Sequence, residues 1–513
     1  MLVLQERKAL LYRLRDPARI TGVIPGAKVL NLPQGQYVAV PHRQEETKVL
    51  RNLGLSAPAP ILSYYDWPGK YTPYAHQKLT AAFCTMHQRG FVLNDMGTMK
   101  TASVIYAADW LRRVKKIRRV VILSPLSTLE PVWADEIFRI LPQASVAVVH
   151  GTRKKRLELM AEEHDFYIVN HHGLKIIQEH FREDVDLLIV DECTSYKNAK
   201  SELWKALNSV LKKSSLWAWL LTGSPMANSP LDAWALARLV SPGLVPKHFG
   251  SWRSQVMYQI NQFKWMPQMD APAKVAAALQ PAIRFSRDEC IELPDTITVD
   301  RQVELTAEQA KAYKKVQDEL AAEINGSQII AANEGVAAMK LIQVCCGVVY
   351  DKDGAHVQLG AAPRITALKE IIEEAPSKVI VFVPLTGALN AVYEELKDRW
   401  PTAVVDGSVS KTQRDEIFRN FQTTDSPHIL LAHPQTMSHG MTLTEAATIV
   451  WFAPVNSNEI YQQACARINR PGQKRNTTIV HLHATALERQ MFKRLEDKSS
   501  MQGVLFDMFK GGN

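Results

Sequence analysis

The chain has 513 residues, 46% hydrophobic and 22% charged, which excludes a disordered or low-complexity chain and suits two or three globular domains of ordinary size. Its net charge of +9 suits a polyanionic partner without identifying one, and six cysteines that form no CxxC pair exclude a disulfide framework. The opening MLVLQERKALLYRLRD turns charged too early for a signal peptide, and no apolar run approaches the roughly 18–20 residues of a membrane span, so the expectation is a soluble protein of a reducing cytoplasm.

In chain order, VIPGAKVLNLPQGQYVAVP predicts short strands punctuated by Pro-Gly and Gln-Gly turns. EETKVLRNLG predicts a short amphipathic helix stopped by Gly54, and SAPAPILSYYDWPGKYTP a Pro-rich connector. Residues 1–66 therefore read as a small α+β accessory domain. From Tyr71 apolar strands alternate with amphipathic helices, the strands being RGFVLND, RRVVILSP, DFYIVN, VDLLIVDE and AWLLTGS. Runs that are apolar throughout indicate strands covered on both faces, as in a parallel sheet. The alternation returns after about residue 375 with SKVIVFVP, TAVVDGS, HILLAHP, ATIVWFAP and TTIVHL. The fold class is α/β, with two parallel-sheet blocks separated by a helical stretch rich in Trp, Gln, Met and Ala.

FVLNDMGTMKTAS places a Gly-containing turn and Lys-Thr between a strand and a helix. A nucleoside triphosphate needs backbone N–H groups around its phosphates, a Lys against their charge and a hydroxyl on Mg²⁺. Lys100 and Thr101 fit the last two roles and Gly97 permits the turn, but Asn94 and Met99 stand where GxxxxGK[ST] has its glycines. By itself the segment reads equally as an ordinary strand–turn–helix. VDLLIVDECTSYKN ends a buried-type strand in Asp191 and Glu192, which divide naturally into a Mg²⁺-holding Asp and a water-orienting Glu. A solvated carboxylate pair is the alternative; the order, Lys-Thr first and Asp-Glu about 90 residues later, weighs against it. AWLLTGSPMANSPLDAW delivers Thr222, Gly223 and Ser224 to a Pro-stopped turn, which in isolation is a surface turn. In EIYQQACARINRPGQKR, Gln463, Arg467 and Arg470 are spaced i, i+4, i+7, which predicts one helical face. Guanidinium forks there suit a γ-phosphate; a solvated basic helix is the competing reading.

Jointly and in this order, these segments resemble the motifs of superfamily two helicases, specifically the Swi/Snf-type (sucrose-non-fermenting) ATPases, in a compact bacterial or phage-like form. PYAHQ, NDMGTMKT, ILSPLSTLEPVWADEI, DECTSYKN, LLTGSPMANSPLDAWAL, VVDGSVSKTQRDEIFRNF and QACARINRPGQ carry the resemblance over roughly residues 71–490. It implies two tandem RecA-like lobes, 67–245 and 293–485, with a helical insertion at 246–292 and a helical tail at 486–513. It implies that Gln77 contacts adenine and that Asp95, Met96, Gly97, Thr98, Met99, Lys100 and Thr101 form the phosphate loop. Thr101 and Asp191 would hold Mg²⁺, Glu192 would serve the attacking water, and Arg467 and Arg470 would be arginine fingers, with Gln463 and Gly440 as further nucleotide contacts. ATP and Mg²⁺ are thus the implied cofactors.

Met99 departs from the family's glycine and is expected to be tolerated only with helical φ and its side chain turned away. SHGMTLTEA departs from the usual Gly-Gly-x-Gly-Leu-Asn-Leu pattern, and Ser224 replaces a Thr. DNA contacts, mostly to phosphate, are expected from Ser127, Thr128, Arg153, Lys154, Lys155 and Ser408. The basic run LRRVKKIRR and the pair His171-His172 read as structural, and Trp217, Trp219, Trp252 and Trp265 as core. The resemblance implies a DNA-dependent ATPase that translocates on duplex DNA, remodelling or annealing it, without a membrane role. It would act as a monomer, with replication or recombination proteins as possible partners, in a bacterial or virus-infected cytoplasm. A strand-separating DNA or RNA helicase, or a nucleotide-regulated DNA-binding scaffold, are the alternatives.

Overall fold

The computed structural model describes residues 1–182, 185–223, 225–226, 229–260, 265–290, 294–326, 331–350, 356–437, 442–470 and 472–496. The chain divides into two compact units, one of residues 1–223, 235–244 and 279–290, the other of residues 224–234, 245–278 and 291–513.

The first unit begins with β1 (Leu2–Leu4), β2 (Ala9–Tyr12), β3 (Lys28–Leu32) and β4 (Gly35–Pro41), an antiparallel sheet in the order β1-β2-β4-β3. The two glycine turns anticipated in this stretch are used as such: Gly26 and Gly35 take φ of +86° and +127°, where a side chain is disfavoured. Leu10, Tyr12, Val38 and Val40 pack with Ile20, Ile24 and Leu50, the last from the helix Gln44–Asn52. Gln44 Nε2 donates to Thr85 O at 2.6 Å and Tyr65 Oη to Asp109 Oδ2 at 2.6 Å, tying this small domain to the helices that follow.

Next come β5 (Arg89–Val92), β6 (Val120–Ser124), β7 (Val146–Val149), β8 (Phe166–Asn170), β9 (Leu187–Val190) and β10 (Trp217–Leu221). After the hairpin strands β11 (Met257–Gln259) and β12 (Trp265–Pro267), the short β13 (Ala282–Ile283) returns to the first unit. Among the described residues these form a seven-stranded sheet in the order β13-β5-β10-β9-β6-β8-β7, parallel at every pairing. Strands β6 and β9 are buried at every position, which is why they read as unbroken apolar runs. Trp133 and Trp219 are fully enclosed in the core beneath the helices Ala75–Met86 and Lys100–Arg113.

In the second unit, β14 (Thr296–Gln302), β17 (Lys378–Phe382), β18 (Thr402–Val405), β19 (Ile429–Ala432), β20 (Ala446–Trp451) and β21 (Thr477–His483) form a six-stranded parallel sheet. Its order is β14-β21-β20-β17-β19-β18; β15 (Val348–Tyr350) and β16 (His356–Gln358) form a separate hairpin. Val379 and Val381 join one apolar cluster while Ile380 and Phe382 join another, so both faces of β17 are covered. Each such buried side chain contributes about 1.5–3 kcal/mol. Arg364 grips Glu488 at 2.8 and 2.9 Å with both groups enclosed. Two parallel α/β sheets in tandem, the first carrying the strand–loop–helix Arg89–Arg113, are a RecA-like architecture with a small α+β domain ahead of it.

The anticipated strands all form; β1, β2, β7, β13, β14 and both hairpins add to them. The stretch read as a helical insertion holds the helices Phe249–Val256 and Ala271–Ala278 but also β11–β12 and β13. The longest helices, Ala307–Gly326 and Ala331–Cys345, follow β14. Trp252 is buried and donates to Pro230 O, whereas Trp265 is only partly covered, with the Arg253 guanidinium 4.4 Å from its ring centre. Basic residues of LRRVKKIRR meet carboxylates: Arg112 pairs with Asp165, and Arg113 with Asp109 at 2.7 Å and Asp66 at 2.9 Å. Residues 486–496 are helical and the rest of the expected tail lies outside the described residues. Among the described residues, no helix is long and apolar enough to cross a membrane.

Candidate nucleotide site

The site is built at the C-terminal ends of β5, β9 and β10, where an open parallel sheet presents its loops and helix N-termini. The loop after β5 is internally tied. Gly97 has φ +86°, Thr98 Oγ1 donates to Asp95 O at 2.8 Å, and Lys100 Nζ donates to the same carbonyl at 3.1 Å. Lys100 and Thr101 then open the helix Lys100–Arg113, so their position at a helix N-terminus adds its partial positive charge.

Met99 is in the left-handed region, φ +55° and ψ +45°. The expectation of a helical φ there is corrected: the loop demands the conformation that glycine adopts freely, and Met99 adopts it at a cost of about 1–2 kcal/mol. Glu192 is a second left-handed residue, φ +46° and ψ +55°, and its N–H donates to Asp191 Oδ1 at 3.1 Å. Strain of this kind concentrates at functional positions.

Asp191 is held from both sides. Trp133 Nε1 donates to its Oδ2 at 3.0 Å, and Ser124 Oγ donates to the same oxygen at 3.1 Å. Burial pushes the Asp191 carboxyl above its ordinary range, while the Trp133 and Lys100 partners pull against that. Burial likewise pulls the Lys100 ammonium down, and the Glu192, Asp191 and Asp95 carboxylates push it back up. The Lys100 ammonium therefore lies within electrostatic reach of three carboxylates. Thr101 and Asp191 offer the hard oxygens that would hold Mg²⁺, a cation that would offset phosphate charge there. Among the described residues, no cluster of three His, Cys, Asp or Glu forms a full protein cage for a metal.

Gln77 is buried one turn into the helix Ala75–Met86, and its Oε1 accepts the Tyr74 N–H at 2.9 Å. Its neighbour His76 donates from Nε2 to Thr98 O at 3.0 Å, joining the glutamine segment to the phosphate loop. Gly223, after β10, packs on the same loop: a Cβ there would lie 3.1 Å from Met96 Cγ and 3.2 Å from Met96 N. Ser224 and Gly440 lie outside the described residues, as does the Ser127 side chain.

Two expectations for the remaining residues change. Gln463 lies in the helix Asn458–Cys465, but Arg467 and Arg470 come after its end and share no helical face with it. Arg467 Nε donates to Met437 O at 2.9 Å, and Arg470 Nε to Ala466 O at 2.9 Å. Gln463 Nε2 leans back on Glu459 at 3.4 Å. The Thr128 hydroxyl, expected on DNA, is buried 2.6 Å from Ser124 Oγ and so supports Asp191 instead. Arg153, Lys154 and Lys155 are exposed on the first turn of the helix Arg153–Ala161, capped by Thr152, and Ser408 is exposed and donates to Asp406 Oδ1 at 2.6 Å. His171, buried, meets Tyr196 Oη at 3.1 Å.

The sequence reading missed four contributors. Trp133, Ser124, His76 and Arg284 act through Asp191 or the phosphate loop. Trp133 and Ser124 stood in the quoted ILSPLSTLEPVWADEI segment and His76 in PYAHQ, but Arg284 carried no local signal.

Comparison with known proteins finds two family matches along the chain. The SNF2-related domain family matches residues 47–347 and the helicase conserved C-terminal domain matches residues 363–472. The chain is similar to the ISWI chromatin-remodeling complex ATPase ISW1 of Saccharomyces cerevisiae, 24% identical over 461 residues, 84% of this chain and 40% of that protein. It is also similar to a putative protein, p41, of Acyrthosiphon pisum secondary endosymbiont phage 1, 24% identical over 474 residues, 86% of this chain and 99% of that one. A solved structure, the Sulfolobus solfataricus SWI2/SNF2 ATPase core in complex with dsDNA, has 22% identity and a TM-score of 0.41, with 87% of this chain and 94% of that one covered. The chain spans only about 40% of the length of the yeast relative. With the SNF2 match running from the N-terminal domain through the first sheet and into the second unit, the chain belongs to the SNF2-related family.

Proposed function

We propose that this chain is a DNA-dependent ATPase motor that hydrolyses ATP with Mg²⁺ and translocates on duplex DNA. The observation that supports it most is the partly buried Lys100 ammonium facing the Asp191 and Glu192 carboxylates, Asp191 being fixed by Trp133 and Ser124. An ammonium among carboxylates at a helix N-terminus is suited to a polyanion that arrives with a divalent cation.

In this reading Gln77 reads the adenine edge, and the backbone N–H groups from Gly97 to Lys100 surround the phosphates. Lys100 exchanges its bond to Asp95 O for phosphate oxygens. Thr101 and Asp191 hold Mg²⁺, which when bound neutralises charge on the phosphates. Glu192 orients a water and accepts its proton as the new O–P bond forms and the bond to ADP breaks. Arg467 and Arg470 supply guanidinium charge to the transferred phosphoryl group. DNA is supported by the net charge, by exposed Arg153, Lys154 and Lys155, and by the chromatin-remodelling role in the name of the yeast relative.

Steady-state phosphate release without nucleic acid and with single-stranded, duplex and forked DNA tests this reading. Turnover should rise about tenfold or more with duplex and fall to background in Lys100→Ala and Glu192→Gln, with Glu192→Gln still binding ATP. Negligible turnover under every condition overturns it in favour of a nucleotide-regulated scaffold. Strand displacement without an annealing activity would favour a conventional helicase.

A further inference from the structure

The phosphate loop contains a carboxylate, Asp95, close to where a triphosphate must sit. A fixed negative charge there repels a polyanion unless it is answered. Both of its oxygens are answered from a distant part of the chain. Oδ1 pairs with an Arg284 terminal nitrogen, and Oδ2 accepts the Arg287 N–H at 3.0 Å.

Arg284 is enclosed and spreads its guanidinium over three partners. Besides Asp95, its Nη1 donates to Leu93 O at 2.6 Å and to Phe285 O at 2.8 Å. The flanking backbone continues the grip: Phe285 N–H donates to Asn94 Oδ1 at 3.0 Å, and Asp95 N–H to Phe285 O at 3.0 Å. Asn94 in turn donates from Nδ2 to Thr80 Oγ1 at 2.8 Å. The entrance of the phosphate loop is thus clamped by residues 283–287, the end of β13 and the turn after it, just before the chain leaves the first unit.

We propose that Arg284 is a positioning residue for ATP binding, acting through Asp95: it cancels the Asp95 charge and fixes the loop entrance so that the loop accepts a triphosphate. The inference rests on the ATPase reading above. A planar fork that reaches a carboxylate and two carbonyls together is a task for Arg rather than Lys. If the pair served only to hold β13 on the sheet edge, the charge on Asp95 would be irrelevant to nucleotide affinity.

The full chain carrying Arg284→Gln, Arg284→Lys, or Arg284→Gln with Asp95→Asn distinguishes the two. We measure ATP KM and kcat with saturating duplex DNA, Kd for a fluorescent ATP analogue, and Tm. Arg284→Gln should raise KM and Kd about tenfold, equivalent to about 1.4 kcal/mol, with kcat lowered less than about threefold. Arg284→Lys should fall between it and the wild type. Adding Asp95→Asn should bring both constants back to within about threefold of wild type, because the uncompensated charge is gone. Affinity that does not weaken in Arg284→Gln, or that weakens and is not restored by Asp95→Asn, overturns the proposal. Should Arg284→Gln not fold, Arg284→Lys with and without Asp95→Asn gives the same comparison. A wild-type chain without turnover would defeat the ATPase reading alone, since the analogue Kd still reports on Arg284.

Discussion

Trp133 Nε1 donates to Asp191 Oδ2 across 3.0 Å, so an indole from the segment after β6 sets the direction of a carboxylate at the end of β9. Trp133 is fully buried, and Asp191 Oδ2 has Ser124 as its second donor. Trp133→Phe keeps most of the packing and removes the bond. Turnover should fall about tenfold and the Mg²⁺ requirement should rise, as when the outer partner of a metal-binding carboxylate is lost. Phosphate release across a Mg²⁺ titration measures both; an unchanged Mg²⁺ dependence would mean that Trp133 does not orient Asp191.

Met99→Gly should be stabilising. It removes the left-handed strain of about 1–2 kcal/mol and adds unfolded-state entropy worth about 0.4–1 kcal/mol, leaving a net gain of about 0.5–1 kcal/mol. Met99→Val should lose about 1 kcal/mol or more, because a β-branched residue tolerates this conformation least. Urea unfolding orders the three proteins; the reverse order would show that the loop does not hold a left-handed residue in solution.

Arg364 and Glu488 form an ion pair with both partners enclosed. Breaking it from one side with Glu488→Gln leaves a buried guanidinium without its counter-charge and should cost about 3–5 kcal/mol. Replacing both with Met should recover most of that loss. Equal losses in the single and double variants, by denaturant unfolding, would contradict a charge-based account.

His481 is fully buried on β21, with Tyr461 Oη 2.9 Å from Nε2, Asp300 Oδ1 3.3 Å and Glu496 3.8 Å from Nδ1, and the Phe492 ring stacked at 4.1 Å. Burial outweighs the carboxylates and lowers its pKa from 6.5 to about 4, with His483 adding to the drop. The folded state therefore prefers the neutral ring. Its contribution is full above pH 6.5 and is lost as pH falls toward 4, amounting to about 2 kcal/mol by pH 5. Denaturant unfolding between pH 7.5 and 5 should show this loss in the wild type and a shallower one in His481→Phe.

The strands were legible because β5, β6, β8, β9 and β10 and, in the second sheet, β17, β19, β20 and β21 are largely buried and so carry unbroken apolar runs. Strand β14 escaped notice because every position in it is exposed, and β13 because it is two residues long. Asp191, Glu192, Lys100 and Thr101 were legible because their segments are contiguous and stand in a recognisable order. Met99 was named as a departure, but its left-handed backbone is a demand of the loop rather than of the residue. The i, i+4, i+7 spacing of Gln463, Arg467 and Arg470 misled because the helix ends at Cys465, before the second and third positions. Thr128 reads from sequence as a DNA contact, yet its hydroxyl is buried against Ser124, which bonds Asp191. Nothing local marks Arg284.

The place of β13 in the first sheet bears on how the protein is made. Arg284 is 189 residues beyond Asp95, and at about 5–20 residues per second a ribosome takes about 10–40 s to supply it. Throughout that interval a nascent first lobe presents the outer edge of β5 unpaired, and an open parallel edge is a template for the wrong partner. The loop after β5 therefore gains its Arg284 and Phe285 partners late in synthesis, from a segment delivered only after every other strand of its sheet.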